Sequence, residues 1–288
     1  GSPVEAPKAL CELQGYVYDA WLRMAEIYDV LGRLKDAERL RGKAADLYRR
    51  FDEAFWDEET GFYAYCLDAE KKKVLTVASN PGHLLWSGIV PPEKAGRVVE
   101  RLMRRDMWSG WGIRTLSAEH PSYNPFSYQN GSVWPHDNGL IALGFKRYGF
   151  HDEAAQVARD ISEAASYFML HQMPELYAGI QRDGANFPVQ YAGANVPQAW
   201  AAGTVFFLLQ AIVGFQPRAE DGLLYLDPWL PSWLPDLTLK DLRLGAEAFD
   251  IRIEGSGFDV TITVLAGDAG KVLRRSIVEG LGQLRVGQ

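Results

Sequence analysis

The chain has 288 residues, of which 47% are hydrophobic and 23% are charged, and its formal net charge is −7. This composition is typical of a globular protein and excludes extensive disorder, while the negative balance argues against nucleic acid as a partner, because a phosphate backbone selects basic surfaces. The length allows one large domain or two smaller ones.

Residues that would bind metals or cross-link the chain are few and scattered. Cys11 and Cys66 belong to no C-x-x-C string, and the five histidines form no H-E-x-x-H motif. We therefore expect no disulfide framework, no metal and no cofactor. Reduced thiols indicate a cytoplasmic protein, and no signal peptide is expected. The apolar run 199–215 is predicted to be a buried core helix and not a membrane span, because it is short and lacks basic anchors.

Apolar residues at helical spacing predict six or seven helices. The first covers 13–31, and Gly32 follows in the position favoured for a left-handed cap. The second covers 34–55, and the short turn between them requires the two to pack antiparallel as an αα-hairpin. Further helices are predicted at 91–105, 138–148, 152–170 and 199–213.

Two long irregular segments, 107–131 and 171–196, interrupt these helices. Loops of this length inside a compact domain are usually functional or mobile. We therefore expect both to carry residues of a functional site.

After Pro217 the period of the pattern changes from 3.6 to 2. Segments 249–254 and 258–264 alternate around Gly255-Ser256-Gly257, which predicts a β-hairpin. Segment 237–244 is a candidate third strand, and 267–288 matches no pattern. We predict a mainly α fold in two regions, a helical-hairpin catalytic region at 1–216 and a β-hairpin region with a tail at 217–288.

Groups that suit a neutral polyol are concentrated in and beside the loops. They are Trp111, Arg114, Tyr128 and Asn130 in the first segment, Trp134, His136 and Asp137 just after it, Glu175 in the second segment, and Gln198 and Trp200 just after that one. Purely structural roles stay open as alternatives. Asp137 or Asn138 could cap the following helix, and Trp134 and Trp200 could belong to the core. The neighbours of Glu175, Pro174 and Tyr177, predict partial burial of its carboxyl group.

Five strings in the same order resemble the amylo-α-1,6-glucosidase (glycogen debranching enzyme-like) family over about 9–244. The strings are Gln14-Gly15-Tyr16-Val17-Tyr18, Gly110-Trp111-Gly112-Ile113-Arg114, Asn130-Gly131-Ser132-Val133-Trp134-Pro135-His136-Asp137, Pro174-Glu175-Leu176 and Pro197-Gln198-Ala199-Trp200. The resemblance implies an (α/α)6 toroid built of six helical hairpins. It also implies inverting hydrolysis of an α-glucosidic bond in glycogen or oligosaccharides, with Glu175 as the general base.

The resemblance places six residues in a glucose-binding subsite. They are Trp111, Arg114, Asn130, Trp134, His136 and Asp137. Tyr128, Gln198 and Trp200 are further candidates for contact with an oligosaccharide or glucan substrate.

The general acid is where the chain departs from the resembled family. That family carries it in a Trp-Lys-Asp-Ser string before the segment matching 13–18, and no such string occurs here. Asp19 and Asp137 are the substitutes. We expect an incomplete barrel that lacks the acid and its N-terminal half, with inward helix faces covered by that half or by a second copy.

Three alternatives stay open. One is a trehalase-like hydrolase, because related six-hairpin enzymes share the strings around Trp134 to Asp137. Another is a disaccharide phosphorylase, although no Gly-rich loop or Lys/Arg cluster suggests a phosphate site. The third is a carbohydrate-binding protein without catalytic activity.

Overall fold

The computed structural model of the chain describes residues 4–277, which contain seven α-helices. The helices are α1 (Cys11–Val30), α2 (Leu34–Phe55), α3 (Asn80–Ser87), α4 (Pro92–Leu102), α5 (Pro135–Arg147), α6 (His151–Ala165) and α7 (Ala199–Val213). The predicted αα-hairpin is confirmed, with α1 and α2 packed together across a three-residue turn. Helix α3 is an addition to the predicted set.

Eleven strands accompany the helices in the described residues. They are β1 (Ala9–Leu10), β2 (Trp56–Asp57), β3 (Phe62–Tyr63), β4 (Cys66–Leu67), β5 (Lys73–Val74), β6 (Gln216–Arg218), β7 (Leu223–Leu226), β8 (Asp236–Leu244), β9 (Glu247–Ser256), β10 (Asp259–Ala266) and β11 (Val272–Arg274). Because four small sheets stand beside seven helices, the description "mainly α" is not confirmed, although the helical hairpins are.

The helices form two rows. Helices α1, α3, α5 and α7 pack each against the next in an inner row, and α2, α4 and α6 each pack on the inner helix that precedes them. Helix α5 lies at the centre of this arrangement, where even Lys146 is only 1% exposed. Within residues 4–277, α1 and α7 are the end helices of this row.

The four inner helices run in the same direction. Glu12 and Tyr16 of α1 contact Asn80 and His83 of α3, and Gly82 and Gly144 face Ile141 and Leu85 across the α3–α5 contact. His136 of α5 likewise stacks on Trp200 of α7. The amino-terminal ends of all four inner helices therefore lie at the same end of the row.

Both ends of the row leave apolar side chains exposed. Phe206 of α7 is 73% exposed and Ile27 of α1 is 50% exposed. Helix α7 is thus not the fully buried core helix expected from its composition, because nothing in the described residues covers its outer face. None of the helices within 4–277 combines the length and hydropathy needed to cross a membrane.

The C-terminal strands confirm the predicted β-hairpin and its third strand. Strand β9 pairs antiparallel with β8 on one side and β10 on the other. It buries Phe249, Ile251 and Ile253 in the core that the helices share. The predicted boundary at 216/217 falls within β6 and stays a prediction. Of the unplaced tail, β11 pairs parallel with β7, whereas 278–288 lie outside the described residues.

Candidate active site

The loops that precede α5 and α7 meet at the amino-terminal end of the inner row. Val133 and Tyr177 exchange backbone hydrogen bonds of 2.9 and 3.0 Å, which joins the two loops. A Cβ atom on Gly179 would collide with the carbonyl oxygen of Gly131, so the absence of a side chain permits this close approach. The two long loops predicted to be functional therefore form one surface.

Asn138 fixes the first loop to α5. Its side chain is fully buried, accepts from the backbone N–H of Ile113 at 2.7 Å, and donates to the carbonyl oxygens of Ile113 and Trp134 at 3.0 and 2.9 Å. Helix α5 begins at Pro135 and has no side-chain cap. The alternative that Asp137 or Asn138 caps the helix is wrong, because both residues lie inside its first turn.

Glu175 lies on the second loop and is 5% exposed, so the burial expected from its neighbours is confirmed. Its Oε1 accepts a hydrogen bond of 2.5 Å from the hydroxyl group of Tyr128. Its Oε2 faces the backbone and side-chain N–H groups of Asn195, both at 3.4 Å. These partners orient the carboxylate and come from both loops.

Aromatic rings connect Glu175 to the start of α5 and α7. Tyr128 meets Trp134 edge to face at 4.9 Å between ring centroids, and Trp134 meets Trp200 at 6.2 Å. His136 stacks on Trp200 at 4.3 Å, with 11° between the rings. Tyr128 is 42% exposed and Trp200 is 46% exposed, so both present ring surface to solvent, and the ring of Tyr128 does so beside the buried Glu175.

Asp137 is 9% exposed and pairs with His83 of α3, a residue that no sequence motif marks. Its Oδ1 is hydrogen-bonded to Nε2 of His83, whose Nδ1 is 2.5 Å from the hydroxyl oxygen of Tyr16. Burial lowers the pKa of His83, but the Asp137 carboxylate outweighs this and leaves that pKa raised. Burial lowers the pKa of the neighbouring His136 below its ordinary value.

Two predicted sugar-binding residues, Trp111 and Arg114, lie behind this surface. Trp111 is 1% exposed, and the guanidinium of Arg182 lies 4.1 Å above its ring. Arg114 is 2% exposed and donates to the carbonyl oxygens of Gly179, Arg105 and Asp106 and to the side chain of Gln181. Their role in sugar binding stays a prediction, and the contacts seen here are with the protein itself.

The remaining predicted residues are distributed around the site. Gln198 precedes α7, and its Oε1 is buried without a hydrogen-bond partner among the described residues. Asn130 is exposed in the first loop. Asp19 forms an ion pair with Arg23 at 3.3 Å, and no hydrogen bond or ion pair among residues 4–277 joins it to Glu175. In residues 4–277 no group of three His, Cys, Asp or Glu side chains could hold a metal ion.

A cavity of about 200 Å³ adjoins the loop that carries Glu175. Phe126, Ser132, Tyr177 and Tyr191 contribute to its walls, and the ring of Tyr191 lies 5.6 Å from that of Tyr128. Neither Glu175 nor Asp137 lines it. The cavity therefore lies beside the carboxylates, on the Tyr191 side of Tyr128.

Residues 9–176 match the family model of the mannosylglycerate hydrolase MGH1-like glycoside hydrolase domain. Mannosylglycerate hydrolase MGH1 of Selaginella moellendorffii is 33% identical over 133 residues, which are 46% of this chain and 27% of that protein. The chain thus spans about a quarter of the length of this curated relative. The matching family is not that of the amylo-α-1,6-glucosidases, so the narrower prediction is not confirmed.

Two solved structures show the same fold at low sequence identity. The GH63 mannosylglycerate hydrolase of Thermus thermophilus, in complex with Tris, has a TM-score of 0.56 at 20% identity and covers 70% of this chain and 45% of its own. Neutral trehalase Nth1 of Saccharomyces cerevisiae has a TM-score of 0.55 at 16% identity, with 72% and 38% covered. These likenesses support the six-hairpin glycosidase fold.

Proposed function

Because the chain belongs to the mannosylglycerate hydrolase MGH1-like glycoside hydrolase family, we propose that it forms part of a glycosidase that hydrolyses an α-hexosyl glycerate such as mannosylglycerate. The observation that carries this proposal is that two buried carboxylates, Glu175 and Asp137, and exposed aromatic rings all lie at the same end of the inner helix row. A hexose has an apolar ring face that packs on such rings, and its hydroxyl groups require polar partners.

Glu175 is the proposed general base. The general base of an inverting glycosidase is a carboxylate that is held in a fixed orientation and takes a proton from the attacking water. Tyr128 and Asn195 supply that orientation from the two loops. Because the ring of Tyr128 is exposed next to Glu175, water and sugar can approach the carboxylate from that side.

Asp137 is proposed as an acceptor of a sugar hydroxyl group. It lies in the first turn of α5, where the helix dipole stabilises negative charge, and it is hydrogen-bonded to His83. An ionised carboxylate accepts hydrogen bonds and cannot donate. Since the matched segment spans 27% of the relative's length, we propose that the general acid belongs to the part of the barrel that this chain does not contain.

A substrate panel tests the proposed function. The protein that carries these residues should release glycerate from mannosylglycerate with inversion at the anomeric carbon, and should act far more slowly on isomaltose, limit dextrin and trehalose. Added inorganic phosphate should not accelerate sugar release. Turnover of isomaltose or trehalose without turnover of mannosylglycerate would contradict the proposed substrate, and phosphate-dependent release would indicate a phosphorylase.

The open ends of the inner row carry a second proposal, that further helices or a second copy cover them. Large exposed apolar side chains at the ends of a helix row are typical of interaction sites when they form a continuous patch. The 288-residue chain should therefore self-associate at micromolar concentration. Phe206→Ser, which removes the most exposed ring of α7, should weaken that association about tenfold or more, as sedimentation equilibrium would measure.

The matched control for this test is Phe187→Ser. Phe187 is 57% exposed but lies in the second loop, outside α1 and α7. Its replacement should leave the association unchanged. A wild-type chain that stays monomeric would exclude the second copy, and equal effects of the two substitutions would exclude α7 as the contact surface.

A further inference from the structure

A chain of two hydrogen bonds links three inner helices behind the candidate site. It starts at the hydroxyl group of Tyr16 on α1, passes through both ring nitrogens of His83 on α3, and ends at Oδ1 of Asp137 on α5. His83 and Asp137 are 5% and 9% exposed. Glu12 of α1, which accepts from the side chain of Asn80 at 2.7 Å, lies close enough to help raise the pKa of His83.

The second carboxylate oxygen of Asp137, Oδ2, is buried but has no hydrogen-bond partner among the described residues. A buried acceptor left without a donor is destabilising because its lost hydration is not replaced, and such groups in folded proteins call for an explanation, such as a catalytic role or a bound water or ion. A second oxygen of this kind, Oε1 of Gln198, lies at the start of α7. Two unpartnered acceptors at the same end of the row indicate a ligand that donates hydrogen bonds.

His83 can hold Asp137 in either of its charge states. In the neutral ring, Nε2–H donates to Asp137 while Nδ1 accepts the hydroxyl hydrogen of Tyr16. After protonation Nδ1–H donates to the Tyr16 oxygen instead, and the bond to Asp137 is kept. The orientation of the carboxylate is therefore preserved across the titration of His83.

We propose that His83 is a positioning residue that, supported by Tyr16, holds Oδ1 of Asp137 so that Oδ2 accepts a hydrogen bond from a hydroxyl group of the bound hexose. This proposal rests on the proposed function, because it requires the site to bind a sugar. The ligand chemistry is a neutral polyol hydroxyl, since an anionic group at the same place would face the Asp137 carboxylate and Glu12.

Sugar binding should change the titration of His83. A sugar hydroxyl group that donates to Oδ2 partly neutralises the charge of the Asp137 carboxylate. That carboxylate then stabilises protonated His83 less strongly, so binding should lower the pKa of His83. Linkage then requires the affinity to rise as the pH increases through that pKa. The other titratable groups facing His83 are Tyr16 and Glu12 from α1, and Asp137 and His136 from α5. The resonances of His136 are followed separately for this reason.

The experiment measures mannosylglycerate binding by calorimetry between about pH 5.5 and about pH 9, a range that brackets the ordinary titration of histidine. A Glu175→Gln background suppresses turnover, and the imidazole resonances of His83 are recorded in parallel. His83→Leu should weaken binding about tenfold or more. His83→Gln, whose amide can still donate to Asp137, should recover part of the affinity and show none of the pH dependence attributed to His83. His171→Gln is the control, because His171 is exposed in the second loop.

The outcomes separate the inference from the proposed function. Absence of mannosylglycerate binding in every variant, the parent included, overturns the proposed function and this inference with it. Binding by the parent that His83→Leu leaves unchanged in the folded protein overturns the inference alone. So does a His83 pKa that does not move on ligand addition, because a merely structural histidine would behave in that way.

Discussion

Replacing Glu175 by glutamine should lower kcat for mannosylglycerate hydrolysis by about 10²–10⁴-fold, the usual contribution of a general base, with a much smaller change in KM. Glutamine keeps the size of the side chain and an oxygen that accepts from Tyr128. It removes the ability to take a proton from water. The loss should therefore fall on the chemical step and not on binding, as steady-state kinetics and calorimetry would measure together.

Chemical rescue distinguishes a base from a residue that only supports the loop. Glu175→Ala should be equally inactive but should regain turnover with sodium azide, because an anionic nucleophile needs no base. The product should be a glycosyl azide of inverted configuration, which fits direct attack on the face opposite the leaving group. Failure of azide to restore any turnover, with sugar binding intact, would count against the role of Glu175.

Glu119→Gln provides the matched control for these variants. Glu119 lies in the first loop and is exposed, so the same chemical change there should leave kcat within about twofold of wild type, as for most surface substitutions. A comparable loss in both variants would point to a general effect of removing negative charge. It would not support a specific base at Glu175.

Elements with a strong amphipathic pattern were predictable. Helix α2 has the predicted bounds, because its apolar residues recur every three or four positions and its other face is charged. Strands β8, β9 and β10 alternate with period 2 and were placed correctly. In α2 and β9 one face is buried and the other is solvated, and in β8 and β10 half-buried residues alternate with exposed ones, so the apolar residues recur with the period of the backbone.

Helix α3 was missed because it is buried on nearly every side. Six of its eight residues are buried, so no solvated face marks the 3.6-residue period. Local signals at its ends were present: Pro81 in the first turn, and Gly88, with a φ of 79°, just past the last residue. Without that helix, His83 could not be recognised as a partner of Asp137.

Contacts between distant loops were beyond the sequence. Glu175 was selected from its immediate neighbours, but its hydrogen-bond partner Tyr128 lies 47 residues away. Arg114 was expected to contact sugar because guanidinium groups suit polyols, whereas its donors face carbonyl oxygens of adjacent loops. The substrate was also less predictable than the fold, because the strings that carried the resemblance are shared among six-hairpin enzymes.

Disrupting the Lys146–Asp227 pair should have the largest effect on stability. Lys146 is buried in the last turn of α5. Its Nζ donates to the backbone oxygen of Asp227 at 2.5 Å and lies 3.4 Å from the carboxylate of the same residue. Asp227 follows β7, and its backbone N–H donates to Val213 at the end of α7. Asp227→Asn should lower the free energy of unfolding by about 3–5 kcal/mol in urea titrations, because it leaves a buried ammonium group without its counter-charge.

A double-mutant cycle shows whether that loss comes from the pair. Lys146→Met with Asp227→Asn should cost less than the sum of the single changes, because the double variant leaves no unpaired charge. Arg252→Met is the control: its ion pair with Glu254 is about half exposed, and pairs of this kind contribute about 0–1 kcal/mol. Additive losses at Lys146 and Asp227 would contradict the pairing.

The pH dependence of stability supplies an independent test of the buried lysine. Burial lowers the pKa of Lys146 to about 8, below its ordinary value near 10.5 in the unfolded chain. Between these two values the unfolded chain binds more protons than the folded one, so the free energy of unfolding must rise with pH across that window. The wild type should therefore gain stability relative to Lys146→Met from about pH 8 to about pH 10.5, whereas a flat or falling difference would show that the ammonium group is not held in a buried site.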